Sequence, residues 1–280
     1  MKSQLLPNQI AHSAYHETRD DMTVETIVDL MPVTVVVPVF NERECASALM
    51  TTLVEIDSEL GERFCFNFLI VDDGSTDGTA ALLKEIIQGK PNFQILQHQQ
   101  NQGIAAAIHT GVKNASSEIV VSIDADGSYD ARLIEKMIPL LSPDTDMVTA
   151  SPYHPEGMVE NVSAWRIWLS QRASGLYRMV LRQKLHCYTS CFRVYRRSRV
   201  LDLVPKSSGY VGIAELMWKL DRQGSKVAEC PAILSTRIAG HSKMRILRAT
   251  LRHLRLVAFI CMVRAAHRLQ RVFRKAARPQ

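Results

Sequence analysis

Two acidic segments hold the residue types best suited to chemistry: Val71-Asp72-Asp73-Gly74-Ser75 and Ile123-Asp124-Ala125-Asp126-Gly127. The second is the more telling, because Asp124 and Asp126 follow the largely apolar run from Ile119 to Ile123. Carboxylates just past a buried strand enter the crevice at the carboxyl edge of an open sheet, a common place for ligands. Two of them separated by a small alanine can share a hard divalent cation, with phosphate oxygens filling its other positions. The spacing therefore points to chemistry on a phosphate-containing donor.

The flanking sequence supplies the elements needed to hold those carboxylates. Val33 to Val39 is apolar apart from Thr34 and Pro38 and rich in β-branched residues, the pattern of a strand covered on both faces. A helix is expected after Asn41-Glu42, running through Leu60. Phe66 to Val71 reads as a second strand, followed by a turn in which Ser75 or Asp77 is placed to cap a helix carrying Ala80, Leu83, Ile86 and Ile87 on one face. Phe93 to Leu96 is a third, short strand. The next helix, from about Gly103, sets Gly103, Ala107 and Gly111 at four-residue intervals, which permits close packing on the sheet or a ligand. Glu118 to Ile123 is the strand that delivers Asp124 and Asp126. Strands alternating with helices predict an α/β fold, a three-layer, mainly parallel open sheet.

Beyond Met147 to Ala150 the pattern changes. Residues 151–157 are turn-rich and expected near the crevice. A helix from about Ser163 to Arg182 carries Trp165 and Trp168, taken as packing or interface residues, with Arg166 and Arg178 facing the acceptor side or solvent. Tyr210 to Leu220 reads as a helix with Glu215 set among apolar neighbours, a carboxylate that needs a partner or a cavity. Residues 1–31 are a polar leader, 32–243 the catalytic domain, and 244–280 a basic C-terminal extension of one or two amphipathic helices.

Charge is unevenly placed. Residues 1–229 hold 22 Lys/Arg against 28 Asp/Glu, whereas residues 230–280 hold 12 Lys/Arg and no acid. A basic tail on an acidic body argues against general nucleic-acid binding and suits an anionic membrane surface, where each nearby cation contributes about 1 kcal/mol. The apolar run Leu256 to Val263 has eight residues between Arg255 and Arg264. About twenty are needed to cross a bilayer, so a monotopic helix or one docked on a protein surface is expected instead. The six cysteines form no CxxC pair, and no charged start leads into an apolar signal segment, so a reduced, cytoplasmic setting is expected, with the chain peripheral on the inner face of the membrane.

No GxGxxG follows the first strand, and GxxxxGK[ST], GxSxG and HExxH are absent. Instead four blocks occur in order: Val37-Pro38-Val39-Phe40-Asn41-Glu42, Asp72 to Thr79, Asn101-Gln102-Gly103 with Ala107 and Gly111, and Asp124-Ala125-Asp126. Thr189 to Arg197 and Arg237 to Lys243 extend the series. In this order the chain resembles the inverting family-two glycosyltransferases of GT-A fold, near their polyprenyl-phosphate (dolichyl-phosphate mannose synthase-like) branch. The resemblance implies that Pro38, Phe40, Glu42 and Asp73 line the donor nucleoside site. It implies that Asp124 and Asp126 hold Mg²⁺ or Mn²⁺, and that Arg193, Arg237 and Lys243 contact phosphates. Where matching lipid-linked enzymes carry a glutamine two residues after the second aspartate, this chain has Ser128.

The expected reaction is inverting transfer of a hexose from a GDP-mannose- or UDP-glucose-type donor to polyprenyl phosphate. A lipid phosphate is already anionic and needs no strong base. The alternative is a soluble enzyme acting on a saccharide or small-molecule hydroxyl, which requires a carboxylate base within about 2.6–3.2 Å. Asp126 and Glu215 are the catalytic candidates.

Overall fold

The computed structural model describes residues 30–237 and 246–276. Strand β1 (Met31–Val39) leads into α1 (Ala46–Leu60), β2 (Phe64–Asp72), α2 (Thr79–Ile86), β3 (Phe93–Gln97), α3 (Ile104–Asn114) and β4 (Ile119–Ser122). A short helical stretch around α4 (Ile134–Met137) precedes β5 (Met147–Ser151), β6 (Met158–Val159) and α5 (Ala164–Val180). The chain continues through β7 (Arg193–Arg196), α6 (Arg197–Val200), α7 (Tyr210–Gln223), β8 (Val227–Pro231), β9 (Ile233–Leu234) and α8 (Ile246–Ala276). The described residues of the basic C-terminal segment, 246–276, thus form one long helix.

Seven strands form one sheet in the order β3-β2-β1-β4-β7-β5-β8, and β6 pairs with β9 beside it. β1, β2, β3 and β4 are mutually parallel, as are β5 and β8, while β7 runs antiparallel to both β4 and β5. The sheet is therefore mixed and mainly parallel. Because β7 is reversed, its first residue lies at the carboxyl end of its neighbours: Arg193 is in register with Ser122 of β4 and Thr149 of β5. The segments after β1, β2, β4, β5 and β8, together with the residues before β7, all reach one edge.

Helices cover both faces, which is why β1 reads as a continuous apolar run: Val33, Val35 and Val37 face one core, Val36 the other. The first core continues through Leu53, Ile56 and Phe68, the second through Ile108, Tyr177 and Met217. Phe68 stacks on Phe93 with centroids 4.4 Å apart, fixing β2 against β3. The small-residue stripe on α3 packs closely, as its spacing predicts. A Cβ at Gly111 would sit 2.2 Å from Val36 Cγ1, and one at Gly212 of α7 would sit 2.4 Å from the Ala105 methyl. Gly103 has φ +96°, a conformation that suits glycine, and backs directly onto the Gly209 amide. α8 lies against α5 and α7, with Tyr177 Oη 2.8 Å from His253 Nδ1 and Trp218 edge-on to Phe259.

Candidate active site

The edge-forming loops are stitched together by backbone and short side chains. Asp73 N–H donates to the Val39 carbonyl, and Ile123 N–H to that of Val36, drawing the ends of β1, β2 and β4 into one rim. Asn41 sits at φ +53°, a left-handed conformation that asparagine tolerates better than most residues. Its amide donates to Ser75 Oγ at 2.8 Å, and its Oδ1 accepts from Thr76 N–H at 2.7 Å. The N-cap of α2 is Gly78 and not Asp77, although Asp77, one residue earlier, still accepts from Thr79 N–H at 2.9 Å. Ser75 does not cap that helix; its hydroxyl is used by Asn41.

At the centre lies a small pocket lined by Cys45, Leu49, Asp124, Asp126 and Tyr129 among others. Asp126 is buried, with Oδ1 accepting from Ser128 N–H at 3.0 Å and Oδ2 lying 3.0 Å from Arg237 Nε. The same guanidinium reaches Glu42 Oε1 at 3.6 Å. Ser128 occupies the place where an amide was the family expectation, and its carbonyl accepts from Ser235 N–H at 2.9 Å. That bond anchors the strand-like segment that brings Arg237 over the carboxylates. Asp124, Asp126, Glu42 and Arg237 are therefore gathered at one rim, with Phe40 half-buried beside them and Pro38 buried within β1.

Burial, and then the charge of Asp126, push the Asp124 carboxyl well above the usual carboxylate range; Arg237 and the Cys191 thiol pull the other way. Arg237 itself is held above its ordinary value: burial would lower it, but the charges around it, Asp126 foremost, prevail. A site that raises one carboxylate and tightens its grip on a guanidinium is short of positive charge, so the two aspartates fit a divalent ion. Among the described residues no group of three or more His, Cys, Asp or Glu could hold one by itself. Donor oxygens or water would have to complete the coordination.

For three of the expected site residues the structure shows other partners. Asp73 is 2% exposed and fully engaged: Oδ1 lies 2.8 Å from His98 Nδ1 and accepts from Gln102 N–H at 2.9 Å, while Oδ2 accepts from Gly103 N–H at 2.7 Å. In this arrangement it organises the entrance to α3. Arg193 has no exposed surface; its guanidinium donates to the carbonyls of Ile213 in α7 and Tyr188 in the loop before β7, which withdraws it from any phosphate. Glu215 accepts from the amides of Lys206 and Ser207 and pairs with Lys219 Nζ at 2.7 Å. Burial raises its pKa, and these donors outweigh that effect and hold it below the ordinary value. A carboxylate so committed is a poor base; it fixes the loop before α7. Lys243, most of the polar leader and the start of the basic extension lie outside the described residues.

Three neighbours were not singled out from the sequence: Tyr129, Cys191 and Tyr210. Tyr129 lines the pocket and packs edge-on against Phe192 at 5.8 Å. Burial pushes the Tyr210 and Cys191 groups well up, with Asp124 the next contributor in each case. Cys191 falls inside the Thr189 to Arg197 block and Tyr129 just after Asp126, whereas Tyr210 has no nearby motif, and the reversal of β7 that brings residue 191 beside Asp124 has no local signature.

The glycosyl transferase family 2 model matches residues 34–203 of the chain. The chain is 30% identical over 218 residues to polyprenol monophosphomannose synthase of Mycolicibacterium smegmatis, covering 75% of this chain and 80% of that one. It is 28% identical over 217 residues to dolichol-phosphate mannosyltransferase of Pyrococcus furiosus, covering 77% of this chain and 60% of that longer enzyme. The fold is similar to that of glucosyl-3-phosphoglycerate synthase from Mycobacterium tuberculosis, solved with Mn²⁺, UDP and phosphoglyceric acid. The TM-score is 0.59 at 20% identity, over 84% of this chain and 78% of that one. With the acidic pair at the carboxyl edge of a mixed α/β sheet, these matches identify the chain as a member of glycosyl transferase family 2, whose chemistry is transfer of a sugar from a nucleotide-diphosphate donor.

Proposed function

We propose that the chain transfers a hexose from a GDP-mannose- or UDP-glucose-type donor to a phosphate-bearing acceptor, inverting the anomeric carbon. The observation that carries this reading is the Asp124–Asp126 pair under the Arg237 guanidinium, 3.0 Å from Asp126. Asp124 and Asp126 would hold Mg²⁺ or Mn²⁺, which when bound supplies positive charge to the diphosphate leaving group. Arg237 would act beside the ion: exchanging Asp126 for the donor, its fork can pair with the same phosphate oxygens. Phe40 and Glu42 are proposed to flank the nucleoside. Lys243 is retained as a phosphate contact on the family resemblance alone.

Polyprenyl phosphate is the acceptor supported by the two curated relatives. Its phosphate oxygen is already anionic, which suits a site whose candidate base, Glu215, is committed elsewhere. Peripheral attachment to the inner, anionic membrane face through α8 belongs to this reading. The second reading, a soluble acceptor hydroxyl, is favoured by the fold likeness to a phosphoglycerate-bound synthase. No helix among the described residues is long and apolar enough to cross a membrane.

The test is a donor panel crossed with polyprenyl phosphate and soluble phosphorylated acceptors, with product stereochemistry recorded. Asp124→Asn and Asp126→Asn should each lower divalent-ion-dependent transfer while leaving the far-UV spectrum unchanged. Full activity in both variants would reject the assignment.

A further inference from the structure

Behind the Asp124 carboxylate lies a buried thiol. β4 and β7 pair antiparallel with Ser122 opposite Arg193, and the same register carried two residues past the ladder sets Cys191 opposite Asp124. The chain stays alongside its neighbours over that step: Ile123 N–H donates to the Val36 carbonyl at 3.1 Å, and Ala150 N–H to the Phe192 carbonyl at 2.9 Å. Residues of an extended strand alternate between faces, and the two cores record the alternation. Val121, Ile123, Phe192 and Val194 lie in the first core, Val120, Cys191 and Tyr195 in the second. Cys191 therefore shares the face of residues 120, 122 and 124.

The Ser122 hydroxyl pins the backbone at that point, donating to the Cys191 carbonyl at 2.5 Å and lying 3.0 Å from Tyr195 Oη. With the carbonyls of residues 191 and 192 both taken by neighbouring strands, the thiol is delivered from a stiff piece of chain. Cys191 is 1% exposed, whereas Asp124 keeps part of its surface open. From the closed side the thiol hydrogen-bonds to the Asp124 carboxylate. A thiol is a weak donor. It fixes the plane of a carboxylate while leaving most of the negative charge for a cation, which a guanidinium in the same place would neutralise. Asp126 is held differently, by the Ser128 amide and the Arg237 guanidinium.

We propose that Cys191 is a positioning residue for Asp124: its S–H holds one carboxylate oxygen so that the other is presented to a divalent ion. The proposal rests on the transferase reading in taking that ion as the ligand of Asp124; the bond between thiol and carboxylate is independent of it. Hydrogen-bond partners behind a metal-binding carboxylate typically change metal affinity about 10–100-fold when they are removed.

Alanine and serine differ by one hydroxyl, so Cys191→Ala and Cys191→Ser separate a hydrogen-bond donor from a space filler. Spin-resonance titration of the full chain with Mn²⁺ alone reads the ion, with Asp124→Asn as the reference. Wild type should bind Mn²⁺, and Asp124→Asn and Cys191→Ala should each weaken that binding about tenfold or more. Cys191→Ser should recover most of the loss. Infrared spectra read the bond itself: the S–H stretch of this thiol is isolated in each background by subtracting the spectrum of the matching Cys191→Ser chain. It should move to higher frequency in Asp124→Asn, because an amide oxygen is a weaker acceptor than a carboxylate. No loss of Mn²⁺ affinity in Cys191→Ala, equal loss in Cys191→Ala and Cys191→Ser, or an S–H stretch indifferent to Asp124→Asn overturns the proposal and leaves the metal reading in place. Mn²⁺ binding absent from wild type, or unchanged in Asp124→Asn, overturns the metal reading of the pair and the proposal with it.

Discussion

Replacing Asp73 by alanine separates a structural aspartate from a donor-binding one. The carboxylate serves three partners: the amides of Gln102 and Gly103 and the His98 ring, all within 2.9 Å. Leaving a buried donor without its acceptor costs about 1–3 kcal/mol. Gln102 is exposed and Gly103 partly so, and water can take over part of their loss. The His98 side chain is 9% exposed and cannot be rescued in that way. The sum is about 3–4 kcal/mol. For a domain of this size 1 kcal/mol moves the melting temperature by about 2–4 °C, so a drop of roughly 6–16 °C is expected. Thermal unfolding followed by far-UV circular dichroism measures it, and calorimetric titration with nucleotide below the transition measures donor affinity on the same variant. A melting temperature equal to wild type, together with lost nucleotide affinity, would refute the structural role and restore Asp73 to the donor site.

Gly111→Ala should cost about 1–3 kcal/mol in urea unfolding, since the new methyl meets Val36 Cγ1 at 2.2 Å; an unchanged midpoint would mean that α3 is free to move off β1. Glu215→Gln should lower stability at neutral pH while leaving the turnover of correctly folded enzyme intact. The folded pKa of Glu215 lies below its unfolded value, so its contribution is complete above the unfolded pKa, about 4.3, and is lost as pH falls through the folded pKa. The stability gap between wild type and variant should accordingly narrow only on acidification, and a gap independent of pH would contradict this. Arg237→Gln should raise Mn²⁺ affinity in the absence of donor, because the guanidinium no longer competes for Asp126, and should lower donor affinity; spin-resonance titration of Mn²⁺ checks the first and calorimetry the second. Equal Mn²⁺ affinity in wild type and variant would show that the ion does not use Asp126.

Much of the donor half was legible because parallel strands buried on two faces write themselves as unbroken apolar runs. Val33 to Val39 and Phe66 to Val71 fall on observed strands, Glu118 to Ile123 overruns β4 by one residue at each end, and Asp124 and Asp126 follow just beyond it. What failed was the reading of charged side chains. Arg193 and Arg196 flank Val194 and Tyr195 in a strand that one-dimensional periodicity does not distinguish from a ligand-binding loop. The partners that silence Asp73 and Glu215 are mainly backbone amides, and any residue type can supply an amide. Burial of a carboxylate is visible in sequence as an acid among apolar neighbours, whereas its satisfaction depends on loop paths fixed only in three dimensions.

β7 sits between β4 and β5, although some seventy residues are synthesised between β4 and β7. Until β7 is made, β4 is an unprotected edge, with its free amides and carbonyls open to pairing with other chains. During synthesis β1 to β4 can therefore assemble early, but the rim beside Asp124 stays unfinished until Cys191 and Phe192 arrive. A released chain ending before residue 193 would keep the β4 edge open and be prone to aggregate, whereas one that includes residue 196 could close it.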